Sequence, residues 1–234
     1  MSSEHFHTHE WAKRHREKLT TRNTHQDALS DREFERLVEG CEKLKPPRDA
    51  EARLICLLAG RLGLRAGEIT HFSADWIDWD RKHIRIPKHE PCDCGTCHRQ
   101  AEQEAANCDE LTKQDAMDDR WHPKTITSAR IVPFDISLRV ELTIERFTDQ
   151  HDAFPRSQAT INRRVAAAAE AAGLTGRVYP HCLRATAASF HAYRGVAPVP
   201  LQALMGWSDL STAQKYIRIS GTATAKAVRQ AHHQ

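Results

Sequence analysis

Long apolar runs are absent from this 234-residue sequence. The longest run, Leu54 to Gly60, is far shorter than the roughly 20 apolar residues that a helix needs to cross a bilayer. The first twenty residues are charged and rich in histidine, whereas a signal peptide carries an apolar segment. We therefore expect no membrane span and no export, and a cytoplasmic protein.

Aromatic residues are also scarce, at 6% of the chain. Three of them are tyrosines, namely Tyr179, Tyr193 and Tyr216, so any chemistry that needs a phenol has three candidate positions. Hydrophobic residues at 40% and charged residues at 28% are close to the globular average, which excludes a disordered or collagen-like chain. The length suits one domain, or two small ones.

The chain as a whole has no large excess of positive or negative charge, since its net charge is only +3. The charges are nevertheless unevenly distributed along the sequence. Residues 156–234 contain ten Lys or Arg against two acids, a net of +8, so residues 1–155 carry −5. A basic segment of this kind is typical of proteins that bind the phosphate backbone of nucleic acids, although a solvated basic face is the commoner explanation of a charge run alone.

Cysteine is present in an odd number, seven, and four of the seven fall within residues 92–108. Without an export signal this pattern predicts a reducing compartment and a metal site, not a disulfide framework. The spacing suits a tetrahedral structural zinc, with free reduced cysteines as the alternative. The expected ligands are Cys92, Cys94, Cys97 and Cys108, and the alternative ligands are His89 and His98.

Helical periodicity covers most of the chain outside three short strand candidates. A capping box at Ser30 and Glu33 begins the first long helix. Further helices are predicted near 48–62, 64–69, 138–148, 158–172, 181–194 and 199–205, and a last one from Ser211 with Gln214 as its capping partner. The strand candidates are 76–79, 83–87 and 129–134, the first two forming a hairpin. Residues 89–122 separate the second and third strands and carry nine acids against three bases, and so long a connection is usually functional or independently stabilised.

Two short patterns are suited to binding a phosphate. His181 and Arg184 stand one turn apart at the start of a helix opened by Pro180, so an imidazole and a guanidinium share one face. Alone, this pattern is weak, because a helix start with an incidental Arg is the commoner explanation. Arg65, with Glu68 three residues later, is either a second phosphate-binding Arg held by a carboxylate or an exposed loop Arg with a weak ion pair.

Tyr216 is the best candidate for a nucleophile. It follows a capped helix start and is flanked by Lys215 and Arg218. A phenol has a pKa of about 10 and becomes nucleophilic at neutral pH only where positive charge and a proton acceptor favour the phenolate. The local composition supplies the positive charge.

Four segments, taken in order, resemble the tyrosine recombinase (phage integrase) family over about residues 28–225. They are Ala59 to Ile69 with Arg65, Pro123-Lys124-Thr125 before the third strand, His181-Cys182-Leu183-Arg184, and Leu204 to Tyr216. In the last segment Trp207 stands nine residues before the tyrosine, where the family has His or Trp. The joint order and spacing of the four segments are far more specific than any one of them.

The resemblance implies an α+β, mainly α-helical catalytic domain with a small three-stranded antiparallel sheet. It implies a metal-free reaction in which Tyr216 attacks a DNA phosphate and forms a 3′-phosphotyrosyl bond. Lys124 would protonate the leaving 5′-hydroxyl, with Lys88 as the rival for that role. The remaining implied site residues are Arg65, His181, Arg184 and Trp207, supported by Glu68.

The resemblance also implies double-stranded DNA as the substrate and a tetramer on that DNA. We expect Arg163, Arg164, Lys215 and Arg218 to contact the DNA. Residues 1–28 are predicted to be a flexible arm and 29–234 the catalytic domain, without the usual N-terminal core-binding domain, so an accessory DNA-binding partner is also expected. Two alternatives stay open: a DNA-binding regulator that keeps the fold without the chemistry, and a nicking-closing enzyme of the type IB topoisomerase class.

Overall fold

The structure is a computed structural model that describes residues 27–232 apart from residues 124, 155 and 177. Residues 1–26 of the predicted arm therefore lie outside the described residues. In the described part of the chain, no helix has the length and apolar character needed to cross a membrane. The helices are α1 (Asp31–Glu42), α2 (Arg48–Gly60), α3 (Ala66–Thr70), α4 (Gly95–Asn107), α5 (Lys113–Asp118), α6 (Leu138–Thr148), α7 (Gln158–Ala171), α8 (Pro180–Tyr193), α9 (Pro198–Met205), α10 (Leu210–Ser220) and α11 (Thr222–His232).

Three short strands, β1 (Ile77–Asp78), β2 (His83–Ile86) and β3 (Arg130–Pro133), form one antiparallel sheet in the order β1-β2-β3. Ile84 pairs with Ile77 on one side and with Val132 on the other, and Ile86 pairs with Arg130. Because side chains alternate along a strand, Arg130 lies on the inward face with Val132. The predicted fold class, mainly helical with a small antiparallel sheet, is confirmed.

The predicted capping box at the start of α1 is present. The Glu33 carboxylate accepts the Ser30 N–H at 2.8 Å, and the Ser30 hydroxyl accepts the Glu33 N–H at 3.3 Å. Helix α2 follows after Pro47 and is buried from Leu54 to Gly60. It packs against α1, α6, α7 and α8 and forms the centre of the main hydrophobic core.

The connection between β2 and β3 contains helices α4 and α5, where the sequence analysis expected a loop. The Cys94 side chain caps α4 by accepting the Cys97 N–H at 3.5 Å, and Thr112 caps α5 through a box with Asp115. The sequence pattern missed these helices because α4 buries little, only Cys97 and Ala101, and so shows no apolar stripe. We call residues 89–122 the insertion.

The C-terminal end differs from the prediction in two respects. Asp209, not Ser211, caps α10, because its carboxylate accepts the Ser211 N–H at 2.8 Å. Gly221, at φ +63°, ends α10, and α11 follows it, so α10 is not the last helix. A second, smaller core lies between α8, α9 and α10 and includes Tyr216.

Candidate functional site

Glu68 is the centre of a buried charged cluster. It lies in the first turn of α3, the helix that begins directly after Arg65, and is 1% exposed. One carboxylate oxygen accepts the Arg65 backbone N–H and the other accepts the Arg65 guanidinium, each at 2.8 Å. The weak, exposed ion pair considered above is therefore wrong, since the carboxylate is buried.

Arg130 of β3 is the residue that the sequence analysis missed. Its guanidinium binds both Glu68 oxygens, at 2.8 and 3.0 Å, and its Nε donates to the Leu204 carbonyl at 2.7 Å. Its side chain is 5% exposed. The available signal was the strand alternation, which places Arg130 on the same face as Val132. A cation on an inward face requires a buried partner.

Arg184 of α8 completes the cluster. It is 5% exposed and donates to the carbonyls of Gly63 and Met205. Arg65 donates in addition to the Gly206 carbonyl at 2.8 Å. The last carbonyls of a helix lack partners within the helix, and here three guanidinium groups bind the carbonyls that end α9.

The cluster of Arg65, Arg130, Arg184 and Glu68 holds three positive charges against one negative charge. Burial alone would raise the pKa of Glu68, but Arg130 and the other guanidinium groups lower it below its ordinary value. Burial, together with Arg65 and Arg130, lowers the pKa of Arg184 well below its ordinary value. Uncompensated buried charge is costly, so the excess of positive charge favours an anion beside this cluster.

Tyr216 lies next to this cluster, close enough for Arg184 to influence it electrostatically. Its ring stacks on Trp207 with 5.3 Å between centroids and 13° between planes. We expected local cations to favour the phenolate. Burial instead raises the pKa of Tyr216, and the attraction to Arg184 offsets this only in part.

An open cleft of about 910 Å³ joins several of the predicted site residues. Arg65, Arg163, His181, Arg184 and Trp207 are among the residues that line it. His181 is exposed in the first turn of α8. Lys124 lies outside the described residues, although its neighbour Thr125 lines the cleft. Lys88, its rival, is exposed just beyond the end of β2.

The four expected DNA contacts have different environments. Arg163 lines the cleft, and Lys215 and Arg218 are exposed on α10. Arg164 differs, because its Nε binds Glu51 of α2 at 2.6 Å and both side chains are largely buried. Arg164 therefore links α7 to α2, and its predicted contact with DNA stays a prediction.

A second cluster contains sulfur and nitrogen donors. One donor atom from each of four residues lies within 4.8 Å of the other three, and these residues are His71, Cys92, Cys94 and Cys97. Cys108, the expected fourth ligand, is instead exposed at the C-terminal end of α4. The thirteen-residue helix that the sequence analysis missed carries it away from the other cysteines.

The alternative histidines are not in this group either. His98 pairs with Asp93 at 2.6 Å, and His89 contacts the Asp118 carbonyl at 3.1 Å. His71 was missed because it lies 21 residues before Cys92, on the other side of the hairpin. Burial lowers the pKa of His71, and its hydrogen bond to the Gly67 carbonyl opposes this shift.

Comparison with known proteins agrees with the fold described above. Residues 137–222 match the phage integrase family. No curated protein matches the sequence. Among solved structures, XerA recombinase superposes with a TM-score of 0.59 at 19% identity over 87% of this chain. The resemblance to the tyrosine recombinase family is confirmed.

Two further tyrosine recombinase structures are similar. The Tn1549 transposon integrase in complex with transposon right-end DNA has a TM-score of 0.60 at 16% identity over 87% of this chain. The catalytic domain of bacteriophage HP1 integrase has a TM-score of 0.55 at 16% identity over 86% of this chain. The chain spans 64% of the XerA structure, 66% of the Tn1549 structure and 93% of the HP1 catalytic domain.

The tyrosine recombinase sequence match includes only part of the candidate site. His181, Arg184, Trp207 and Tyr216 fall within residues 137–222. Arg65 and Glu68 fall outside the matched residues, but the fold connects them to this segment. Arg65 donates to the Gly206 carbonyl, and Arg130, which binds Glu68, donates to the Leu204 carbonyl.

Proposed function

We propose that this protein is a site-specific DNA recombinase that cuts and rejoins double-stranded DNA through a 3′-phosphotyrosyl intermediate. The observation that carries the proposal is the buried cluster around Glu68, which has two surplus positive charges and lies beside Tyr216 on an open cleft. The similar fold of the Tn1549 transposon integrase in complex with DNA supports the choice of substrate.

The scissile phosphate would bind against Arg65 and Arg184. Each guanidinium has five N–H donors, and the contacts described above hold each group through its terminal nitrogens. Held cations of this kind stabilise the negative charge that develops on phosphate oxygens in the transition state without reorganising during the reaction. His181, which lines the same cleft, would contribute a further hydrogen bond.

Tyr216 would be the nucleophile. Its Oη forms a bond to phosphorus while the bond from phosphorus to the 5′-oxygen breaks. The phenolic proton passes to the His181 imidazole, and Lys124 supplies a proton to the departing 5′-oxygen. A 5′-hydroxyl of a second strand then attacks the phosphorus and gives its proton to the neutral Lys124 amine. The bond from phosphorus to Tyr216 Oη breaks, and the protonated His181 imidazole returns the proton to the phenolate. Because the bond energy is retained in the covalent intermediate, ATP is not required.

The raised pKa of Tyr216 fits this sequence of steps. The phenol stays neutral without DNA, and a bound phosphate brings the proton acceptor and the reacting group together. Stacking on Trp207 fixes the ring plane. Exchange of strands between two duplexes requires four such sites, so we propose a tetramer on DNA as the active form.

Covalent trapping tests the proposal. Nicked suicide duplexes taken from DNA that flanks the encoding gene are incubated with wild type, Tyr216→Phe and Tyr193→Phe, and adducts are separated on a denaturing gel. We expect an adduct with wild type and with Tyr193→Phe, which alters an exposed tyrosine, and none with Tyr216→Phe. DNA binding, measured in parallel, should be equal for all three.

The other outcomes separate the alternatives. An adduct that persists in Tyr216→Phe excludes Tyr216 as the nucleophile. Binding by wild type without any adduct supports a DNA-binding regulator. Relaxation of supercoiled plasmid without dependence on a site supports a nicking-closing enzyme.

A further inference from the structure

The donor atoms of the second cluster have the separations of a metal site. In a tetrahedral zinc site, Zn–S bonds of about 2.3 Å and Zn–N bonds of about 2.0–2.1 Å place sulfur and nitrogen roughly 3.6 Å apart. His71 Nε2 lies 3.5 Å from Cys94 Sγ and 3.3 Å from Cys97 Sγ. The Cys92 sulfur lies within 4.8 Å of all three.

Hydrogen bonds around the cluster orient the ligands. His71 Nδ1 donates to the Gly67 carbonyl at 2.7 Å, which leaves the lone pair on Nε2 directed at the sulfur atoms. Metal-binding histidines usually have a second hydrogen bond of this kind. The His71 ring also stacks on Trp121, with 4.7 Å between centroids. The backbone N–H of Cys97 donates to Cys94 Sγ, a contact that favours a thiolate.

We propose that His71, Cys92, Cys94 and Cys97 bind a structural zinc ion. Three thiolates and one imidazole match the ligand preference of zinc, and four protein ligands leave no open position for catalysis. The insertion is acidic and buries little apolar surface, so it needs another source of stability. Metal binding provides it, because the free energy of binding at a site absent from the unfolded chain adds to the free energy of folding.

The zinc would connect the insertion to the charged cluster. Cys92, Cys94 and Cys97 belong to the insertion, whereas His71 directly follows α3, the helix that carries Glu68. A cavity of about 470 Å³ lies between α3 and α4, with Arg65 and Glu68 on its wall. The ion would therefore hold α3 against the insertion, and the proposal does not depend on recombinase activity.

Metal content and cobalt substitution test the proposal on the full chain, purified under reducing conditions without chelators. We expect about one zinc per chain and, after replacement by Co²⁺, the absorption of a tetrahedral site with sulfur-to-cobalt charge transfer. This band reports thiolate ligands alone, so the histidines near the N-terminus cannot produce it. The charge-transfer band should be weakened or lost in Cys94→Ser, the d–d bands of the tetrahedral site should shift in His71→Ala, and both should be unchanged in the matched control Cys108→Ser.

Several results would overturn the proposal. A folded, reduced wild-type protein that gives no cobalt band and retains no zinc excludes the site. An unaltered cobalt spectrum in His71→Ala, or loss of the band in Cys108→Ser, refutes this ligand set. If a variant fails to fold, titration of the reduced wild type with Co²⁺ still decides, since the site predicts saturation of the band at about one equivalent. DNA is absent from these measurements, so their failure is distinct from failure of the recombinase proposal.

Discussion

Replacement of Glu68 by Gln should strongly destabilise the protein. The carboxylate accepts hydrogen bonds from the Arg65 backbone, the Arg65 guanidinium and both terminal nitrogens of Arg130. Glutamine removes the negative charge and places an NH₂ group opposite these donors. Removing one partner of a buried ion pair costs about 3–5 kcal/mol, because the remaining charge is left uncompensated. We expect a loss of that size at pH 7.

Urea unfolding followed by tryptophan fluorescence measures the effect. Glu42→Gln is the matched control, since Glu42 is 57% exposed and forms a surface pair with Arg53 at 3.1 Å. Surface pairs contribute about 0–1 kcal/mol. In a double-mutant cycle with Arg130→Gln, the coupling energy should be about 0.5–3 kcal/mol. A loss in Glu68→Gln no larger than in Glu42→Gln would refute the account of the cluster.

The pH dependence provides a second check. The pKa of Glu68 is lowered in the folded state, so its stabilising contribution is complete above the unfolded value of about 4.3 and is lost as the pH falls through the lower folded value. The difference between wild type and Glu68→Gln should therefore shrink in acid. A difference that stays constant down to the acid transition would mean that Glu68 is not charged in the folded protein.

Two further predictions concern core packing and the burial of Tyr216. A Cβ on Gly60 would lie 2.1 Å from the Phe34 ring, whereas one on Gly67 meets nothing within 4 Å. Gly60→Ala should therefore lower the free energy of unfolding by about 1–3 kcal/mol, whereas Gly67→Ala should leave it equal or slightly raised. Thermal unfolding that ranked the two variants in the reverse order would contradict the close packing of Gly60 against Phe34. Burial raises the pKa of Tyr216, so its contribution to stability is complete below the unfolded value of about 10 and is lost as the pH rises through the folded value. Tyr216→Phe should lose less stability than wild type in that alkaline range, and equal losses in urea unfolding would show that Tyr216 is not buried as described.

Features encoded by neighbouring residues were predictable from the sequence. Helix α6 has the predicted bounds, Leu138–Thr148, and the capping box at Ser30 is present because its two members are three residues apart. The hairpin and the third strand also follow from local alternation of apolar residues. The predicted cap of α10 was wrong, because several neighbouring polar residues could have served as the cap. The helices of the insertion were missed, because a helix that buries little has no periodic apolar signal.

Contacts between distant segments were not predictable in this way. Arg130 and Glu68 are 62 residues apart, and Arg65 and Gly206 are 141 apart. No spacing rule relates such positions, and only the pairing of β3 with β2 brings Arg130 to the carboxylate. The position of His71 in the sulfur cluster was not predictable for the same reason, because no spacing rule relates it to cysteines on the far side of the hairpin. The insertion was instead expected to supply all of its own ligands.

The turn that ends α9 organises both halves of the candidate site. Its carbonyls at Leu204, Met205 and Gly206 accept from guanidinium groups that belong to β3, α8 and the start of α3. Gly206 has a φ of +57°, and a Cβ there would lie 3.0 Å from the Arg130 side chain, so both conformation and space require glycine. Trp207 is the next residue, and its backbone N–H donates to the Gln202 carbonyl at 3.1 Å, which completes the turn. One turn thus fixes the cations that would bind phosphate and also the indole on which Tyr216 stacks. The separation between these cations and Tyr216 is therefore set by backbone geometry, which explains how a site assembled from four separate segments is held in place.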